Sequence, residues 1–189
     1  RSVSRLPGLD WALNPYRGCA HGCLYCYVPG VTGFALDRPW GSVVEAKVNI
    51  AHQLKGELAK GVKGVVGVGT VTDPYQPAES ALELTRGCLT LLKRYNTRTS
   101  VLTKSDLVLR DLDILKGWDG AEVGLSIGCP DDKSALALEP WAPAPSRRFD
   151  ALAKLIEAGV DTYLLAAPVV PSVSGSDGVL RELVRRASE

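Results

Sequence analysis

The chain has 189 residues, 46% of them apolar and 23% charged; this is the balance of a folded soluble protein, and a chain of about 150 residues already buries about 70% of its unfolded surface. Its 22 basic and 21 acidic residues leave a net charge of +1, so no global field draws it onto a phosphate backbone and nucleic acid could engage it only through a local patch. The longest apolar runs fall well short of the ~20 residues that span a bilayer and no leader pattern opens the chain, so the expectation is a cytoplasmic protein without a membrane span.

In chain order, Asp10–Asn14 (DWALN) reads as a first short strand, followed by a loop, residues 14–30, that holds three of the five cysteines. Val48–Gly61 has helical spacing and ends at a glycine cap. Val65–Thr70 has strand composition, then comes the turn-rich VTDPYQPAES, then a helical pattern over Ala81–Tyr95 with Glu79 and Ser80 near its start. The alternation continues with strand Thr99–Thr103, helix Asp106–Trp118, strand Ala121–Ile127, helix Ser146–Gly159, strand Asp161–Val169 and helix Gly178–Ala187.

These five βα units predict an α/β protein with a parallel sheet, because parallel neighbours need a crossover, and the crossover is nearly always right-handed. An open partial barrel and a doubly wound sheet both satisfy the pattern. No repeat or low-complexity linker divides the chain, so residues 1–189 are expected to form a single domain. In either architecture ligands gather where strands end, which directs attention to the cysteine loop, VTDPYQPAES, KSDL, GCPDD and VPSVSGSD. The lack of methionine and the start at Arg1 read as a fragment or a processed form.

Cys19, Cys23 and Cys26 stand as C-x3-C-x2-C between Gly18 and Tyr27. An odd cysteine count with three crowded together is no disulfide framework. Three thiolates can hold three irons of a [4Fe-4S] cube and leave the fourth open to a small molecule, whereas structural clusters and zinc sites take four protein ligands. Zinc on the three cysteines and His21, a redox pair of Cys23 and Cys26, and buried inert thiols are the competing readings. Gly18 and Gly22 suit a loop wrapped closely about a cluster.

The loop, with Tyr25 just ahead of its last cysteine, resembles the defining motif of the radical S-adenosylmethionine (radical SAM) superfamily. Together with TDPYQPAE, LTRGCL, LTKSDLVLRDLDIL and LEPWAPAPSRRFDAL, it is similar to the spore photoproduct lyase-like, DNA repair photolyase-related branch over nearly the whole chain. The resemblance implies a partial (β/α)6 TIM-like barrel that binds a [4Fe-4S] cluster and SAM and generates a 5′-deoxyadenosyl radical for hydrogen abstraction. It implies Cys19, Cys23 and Cys26 as cluster ligands and Tyr25 near the adenine. Thr72 and Asp73 would then meet SAM's amino group, Lys104 its carboxylate and Ser126 its ribose. An electron donor such as ferredoxin or flavodoxin is the implied partner.

Two departures qualify the resemblance. Lyases of that branch return a hydrogen through a cysteine near the end of the second strand, where this chain has Thr70 in GTVTDPY and no thiol. A sixth strand is not evident after VPSVSGSD. Cys129, after the fourth strand, is a candidate for hydrogen return or a second metal, and Tyr27, directly after the cluster loop, is the other candidate catalytic residue. Tyr75, Gln76 and Glu79 are expected at the mouth of the site, and Cys88, mid-helix, in the core. The rival reading is a non-catalytic zinc- or iron–sulfur-binding module.

Overall fold

The computed structural model describes residues 2–4, 6–34, 37–171 and 173–188; Ser172, within the last of the expected strand-end segments, lies outside them. The chain opens with β1 (Trp11–Leu13) and β2 (Tyr16–Arg17). After the cysteine loop and the single turn of α1 (Val28–Thr32), β3 (Glu45–Ala46) returns to pair antiparallel with β2. This clasp was not expected: two-residue strands and a one-turn helix are too short to carry a periodic signal.

The βα units follow as α2 (Ile50–Leu58), β4 (Val65–Val68), α3 (Glu79–Leu82), α4 (Leu84–Arg94) and β5 (Arg98–Thr103). A 3-10 stretch, Asp106–Asp111, runs into α5 (Leu112–Leu115), then come β6 (Ala121–Ser126), α6 (Asp132–Leu138), α7 (Pro145–Glu157), β7 (Asp161–Leu165) and α8 (Asp177–Ala187). Among the described residues no helix is long and apolar enough to cross a membrane.

The five strands β1-β4-β5-β6-β7 form one sheet in that order, and every neighbouring pair is parallel. Strand order never reverses, as a doubly wound sheet requires, so successive right-handed crossovers place the helices on one face and the architecture is an open, partial barrel. The register makes the two faces distinct. Val66, Val68, Val101, Val123 and Leu125 alternate onto the helix side, where they are at most 4% exposed and pack with Leu89, Leu92, Leu115, Phe149 and Leu155. The opposite face carries small and polar groups in register: Gly67 beside Ser100, Leu102 beside Gly124, Gly124 beside Tyr163, Ser126 beside Leu165. A Cβ on Gly124 would meet the Tyr163 ring at 2.3 Å, so the aromatic lies over the glycine on the concave side.

The helix expected over Ala81–Tyr95 is broken at Glu83, whose φ is +48°. The cause is Glu79, fully buried, whose carboxylate accepts from the backbone N–H groups of Thr85 at 2.9 Å and Arg86 at 3.2 Å. It thus caps the start of α4 and favours the positive helix end. The helix expected over Asp106–Trp118 is also shorter and tighter. Its 3-10 winding accompanies Asp111, a fully buried carboxylate that accepts from Tyr75, Arg86 and Arg110.

Candidate functional site at the cysteine loop

The loop is shaped by backbone that only glycine adopts easily. Gly18 has φ +82° and Gly22 φ +59°, and a Cβ on Gly18 would stand 2.3 Å from the Val43 carbonyl oxygen and 2.7 Å from the Phe34 ring. Two side chains after β4, Thr72 and Gln76, hold the loop in place. The Thr72 hydroxyl donates to Gly18 O at 2.5 Å, Gln76 accepts from Ala20 N–H at 2.8 Å, and Gln76 Nε2 donates to Thr72 Oγ1 at 3.0 Å. Behind the loop, the Trp141 ring packs where Cβ atoms on Gly22 and Gly41 would otherwise be, at 2.4 and 2.9 Å.

One cavity of about 330 Å³ opens at the C-terminal ends of β4, β5 and β6. Cys19, Cys23, Cys26, Tyr25, Tyr27, Thr72, Asp73, Lys104 and Ser126 all line it, with His21, Trp40, Val71, Leu165 and Pro168. Nine of the ten expected site residues are therefore gathered from four separate stretches of chain. All three thiols are free, yet no three His, Cys, Asp or Glu side chains among the described residues converge as ligands of a single ion. Burial, reinforced by the nearby Asp73 charge, pushes the Cys19 thiol up to about 12. Burial likewise raises Cys23 to about 11 and shifts Cys26 upward, although Lys104 opposes both.

Asp73 is tied on several sides. Its Oδ1 accepts from Tyr75 N–H at 2.9 Å and the Thr103 hydroxyl at 2.7 Å, and its Oδ2 from Lys104 N–H at 2.8 Å. His21 Nδ1 stands 3.4 Å from Oδ2 without a well-formed hydrogen bond, so that contact is electrostatic. Burial alone would raise the Asp73 pKa, but His21, Thr103 and the Lys104 N–H hold it at about 2.

Lys104 and Ser126, expected at the carboxylate and the ribose of the cofactor, meet directly: Lys104 Nζ donates to Ser126 Oγ at 2.6 Å. Lys104 Nζ also lies 3.4 Å from Glu139 and 5.7 Å from the centre of the Tyr25 ring. Glu139, to which the sequence assigned no role, accepts from the Tyr25 hydroxyl and from Arg148. The only local signal was its place in LEPWAPAPSRRFDAL, since Tyr25 is 114 positions away.

Several expectations are relocated. Cys129 does not line the main cavity; it lines a narrow space of about 10 Å³ beside Tyr25, Leu138 and Glu139, and its thiol points to Asp131 O at 3.8 Å. Tyr75, Gln76 and Glu79 are at most 1% exposed and belong to the interior, because their polar ends find partners in Asp111, the cysteine loop and Arg110. Tyr27 is 54% exposed at the rim and donates to Thr70 O at 2.6 Å. Cys88 is fully buried in the core, as expected.

Comparison with known proteins bears on this arrangement. A protein of Methanocaldococcus jannaschii, itself uncharacterised, is 35% identical over 181 residues, covering 95% of this chain and 68% of that protein. A likewise uncharacterised protein of Mycobacterium tuberculosis is 31% identical over 184 residues, covering 92% of this chain and 54% of that one. Spore photoproduct lyase complexed with dinucleoside spore photoproduct superposes with a TM-score of 0.70 at 18% identity, covering 98% of this chain and 54% of the lyase. The chain thus spans about half to two thirds of the length of these proteins. The family model for the radical SAM superfamily matches residues 13–182, and the chain belongs to that superfamily.

Proposed function

We propose that the chain is a radical SAM enzyme that holds a [4Fe-4S] cluster on Cys19, Cys23 and Cys26 and SAM beside it, acting on a substrate at the open mouth of the cavity. The observation that carries this reading is the gathering of three unpaired thiols with Tyr25, Thr72, Lys104 and Ser126 around one space. Bound there, the two groups supply reductive cleavage of the sulfonium to a 5′-deoxyadenosyl radical, which takes hydrogen from the substrate.

The residues fit such a pair. The three free thiols line one side of the cavity, and His21, the fourth ligand that a zinc ion would need, turns its Nδ1 to the Asp73 carboxylate at 3.4 Å. Gly18 and Gly22 keep side chains out of the loop. Lys104 offers a fixed cation to the carboxylate of SAM, and Ser126 an oxygen to the ribose. For the ammonium the acceptor with room is Asp73 Oδ2, which has one firm hydrogen bond against two on Oδ1. Thr72 is committed to the loop and acts as a support. Leu102, Val71 and Leu165 line the wall and exclude water from the reacting centre.

The cavity presents no thiol beyond the three loop cysteines among its lining residues. A thiol-based hydrogen return of the kind implied by the lyase branch has no carrier in it, and Tyr27, exposed at the rim with its O–H on Thr70 O, is the tyrosine a substrate would meet there. A one-electron donor of the ferredoxin or flavodoxin type is the proposed partner. A nucleic-acid substrate finds no support in the net charge of +1.

Anaerobic reconstitution tests the reading. The expected product is brown, carries about four irons per chain and converts SAM to 5′-deoxyadenosine on reduction. Colourless protein holding one zinc overturns it in favour of a non-catalytic module, and Cys23→Ala is expected to lose both colour and cleavage.

A further inference from the structure

Glu139 lies outside every part of the site assigned so far, yet it joins two of them. Its carboxyl is 6% exposed and pairs with Arg148, itself 1% exposed. Arg148 does not line the cavity, and each of its three nitrogens is engaged elsewhere: Nε donates to Pro143 O at 2.6 Å, Nη1 to Ser126 O at 3.0 Å and Nη2 to Glu139. The other side of Glu139 takes the Tyr25 hydroxyl and faces Lys104 Nζ at 3.4 Å.

Two cations thus share one carboxylate. The cation that is fully enclosed balances it, and the one that lines the cavity, Lys104, keeps its charge available to an incoming anion while three contacts fix its direction. Were Arg148 absent, Glu139 would claim Lys104 for itself, because a buried carboxylate does not stay unpaired.

We propose that Glu139, backed by Arg148, is a positioning residue that sets Lys104 for the carboxylate end of the cofactor. The proposal rests on the reading of the cavity as a SAM site. It predicts an effect confined to ligands that carry the carboxylate, which a merely structural glutamate would not produce.

The test measures anaerobic binding of two probes to the reconstituted protein by calorimetry: S-adenosylhomocysteine, which has the amino-acid carboxylate, and 5′-methylthioadenosine, which lacks it. Glu139→Gln, whose amide oxygen can still accept from the Tyr25 hydroxyl, is expected to weaken S-adenosylhomocysteine about tenfold, the loss of roughly one charge-assisted contact, and to leave 5′-methylthioadenosine unchanged. Lys104→Met should give the same pattern, and the double variant should be no weaker than Lys104→Met alone. Glu139→Asp, which keeps the charge on a shorter arm, should fall between wild type and Glu139→Gln and serves if the glutamine variant does not fold. Equal weakening of both probes, or of neither, overturns the positioning role while leaving the SAM site intact. Failure of the wild type to bind either probe removes the SAM reading and the proposal with it.

Discussion

Tyr16 donates its phenolic proton to Glu79 across 2.5 Å, and both side chains are fully buried. Burial first, and the hydrogen bond to the Glu79 carboxylate second, push the Tyr16 phenol far above its usual range, which favours the donor form. Glu79 also pairs with Arg110 at 2.8 Å and caps α4. One carboxylate therefore fastens the strand leading into the cysteine loop to the first turn of a core helix.

Glu79→Gln removes the charge from this junction and turns an amide donor toward at least one existing donor. Breaking a buried pair on one side costs about 3–5 kcal/mol, and a loss of that size is expected in urea denaturation. Tyr16→Phe, which deletes one hydrogen bond, is expected to cost about 1–3 kcal/mol. Equal stabilities of wild type and Glu79→Gln would show that the junction contributes nothing.

Gly18→Ala should disable the loop without touching a ligand. Its Cβ meets a backbone oxygen, Val43 O, at 2.3 Å and its φ is +82°, and a residue forced into such a conformation costs about 1–3 kcal/mol. Iron loading is expected to fall sharply while the core helices keep their circular dichroism. Full iron content in the variant would show that the loop tolerates the side chain.

The stability difference between wild type and Glu139→Gln should depend on pH on the acid side only. Burial alone would raise the Glu139 pKa, but Lys104 and Arg148, with hydrogen bonds from Arg148 and Tyr25, hold it below the usual range. A depressed folded-state pKa stabilises above the unfolded value of about 4.3, and that stabilisation is lost as pH falls through the folded value. Denaturation at several pH values is expected to show a constant difference from pH ~8 to ~5.5 that shrinks below ~4.3. A difference that grows toward acid contradicts this account.

Loading the cysteine loop should release protons. Burial leaves the Cys19 and Cys23 thiols with pKa values of about 12 and 11, so both are neutral near pH 7, while a metal takes thiolates. Reconstitution in weak buffer with an indicator dye is expected to acidify the solution by about one proton per thiol, and apparent iron affinity should rise with pH. Loading without proton release would mean that the thiols are already ionised in the empty protein.

Much of the architecture was legible in linear spacing. The alternation of Val66 and Val68 in β4 and the apolar repeat of Leu89 and Leu92 are relations between near neighbours in the chain, and backbone periodicity sorts them before any packing occurs. The three cysteines were legible for the same reason, since eight consecutive positions bring them together whatever the rest of the chain does. Glu79 marks where such reasoning stopped. In a turn-rich segment at a strand end it had every local mark of a rim residue, yet Tyr16 and Arg110, 63 and 31 positions away, draw it inside.

Cys129 and Glu139 show the same division at the site itself. Spacing alone established that a thiol-rich loop would sit at the strand ends of a parallel sheet, because those relations are local and depend on backbone geometry. Which polar side chains then surround that loop was chosen by packing in three dimensions. Tyr25, Lys104, Glu139 and Arg148 come from separate strand ends and helices, and only closure of the sheet brings their charges close enough to pair.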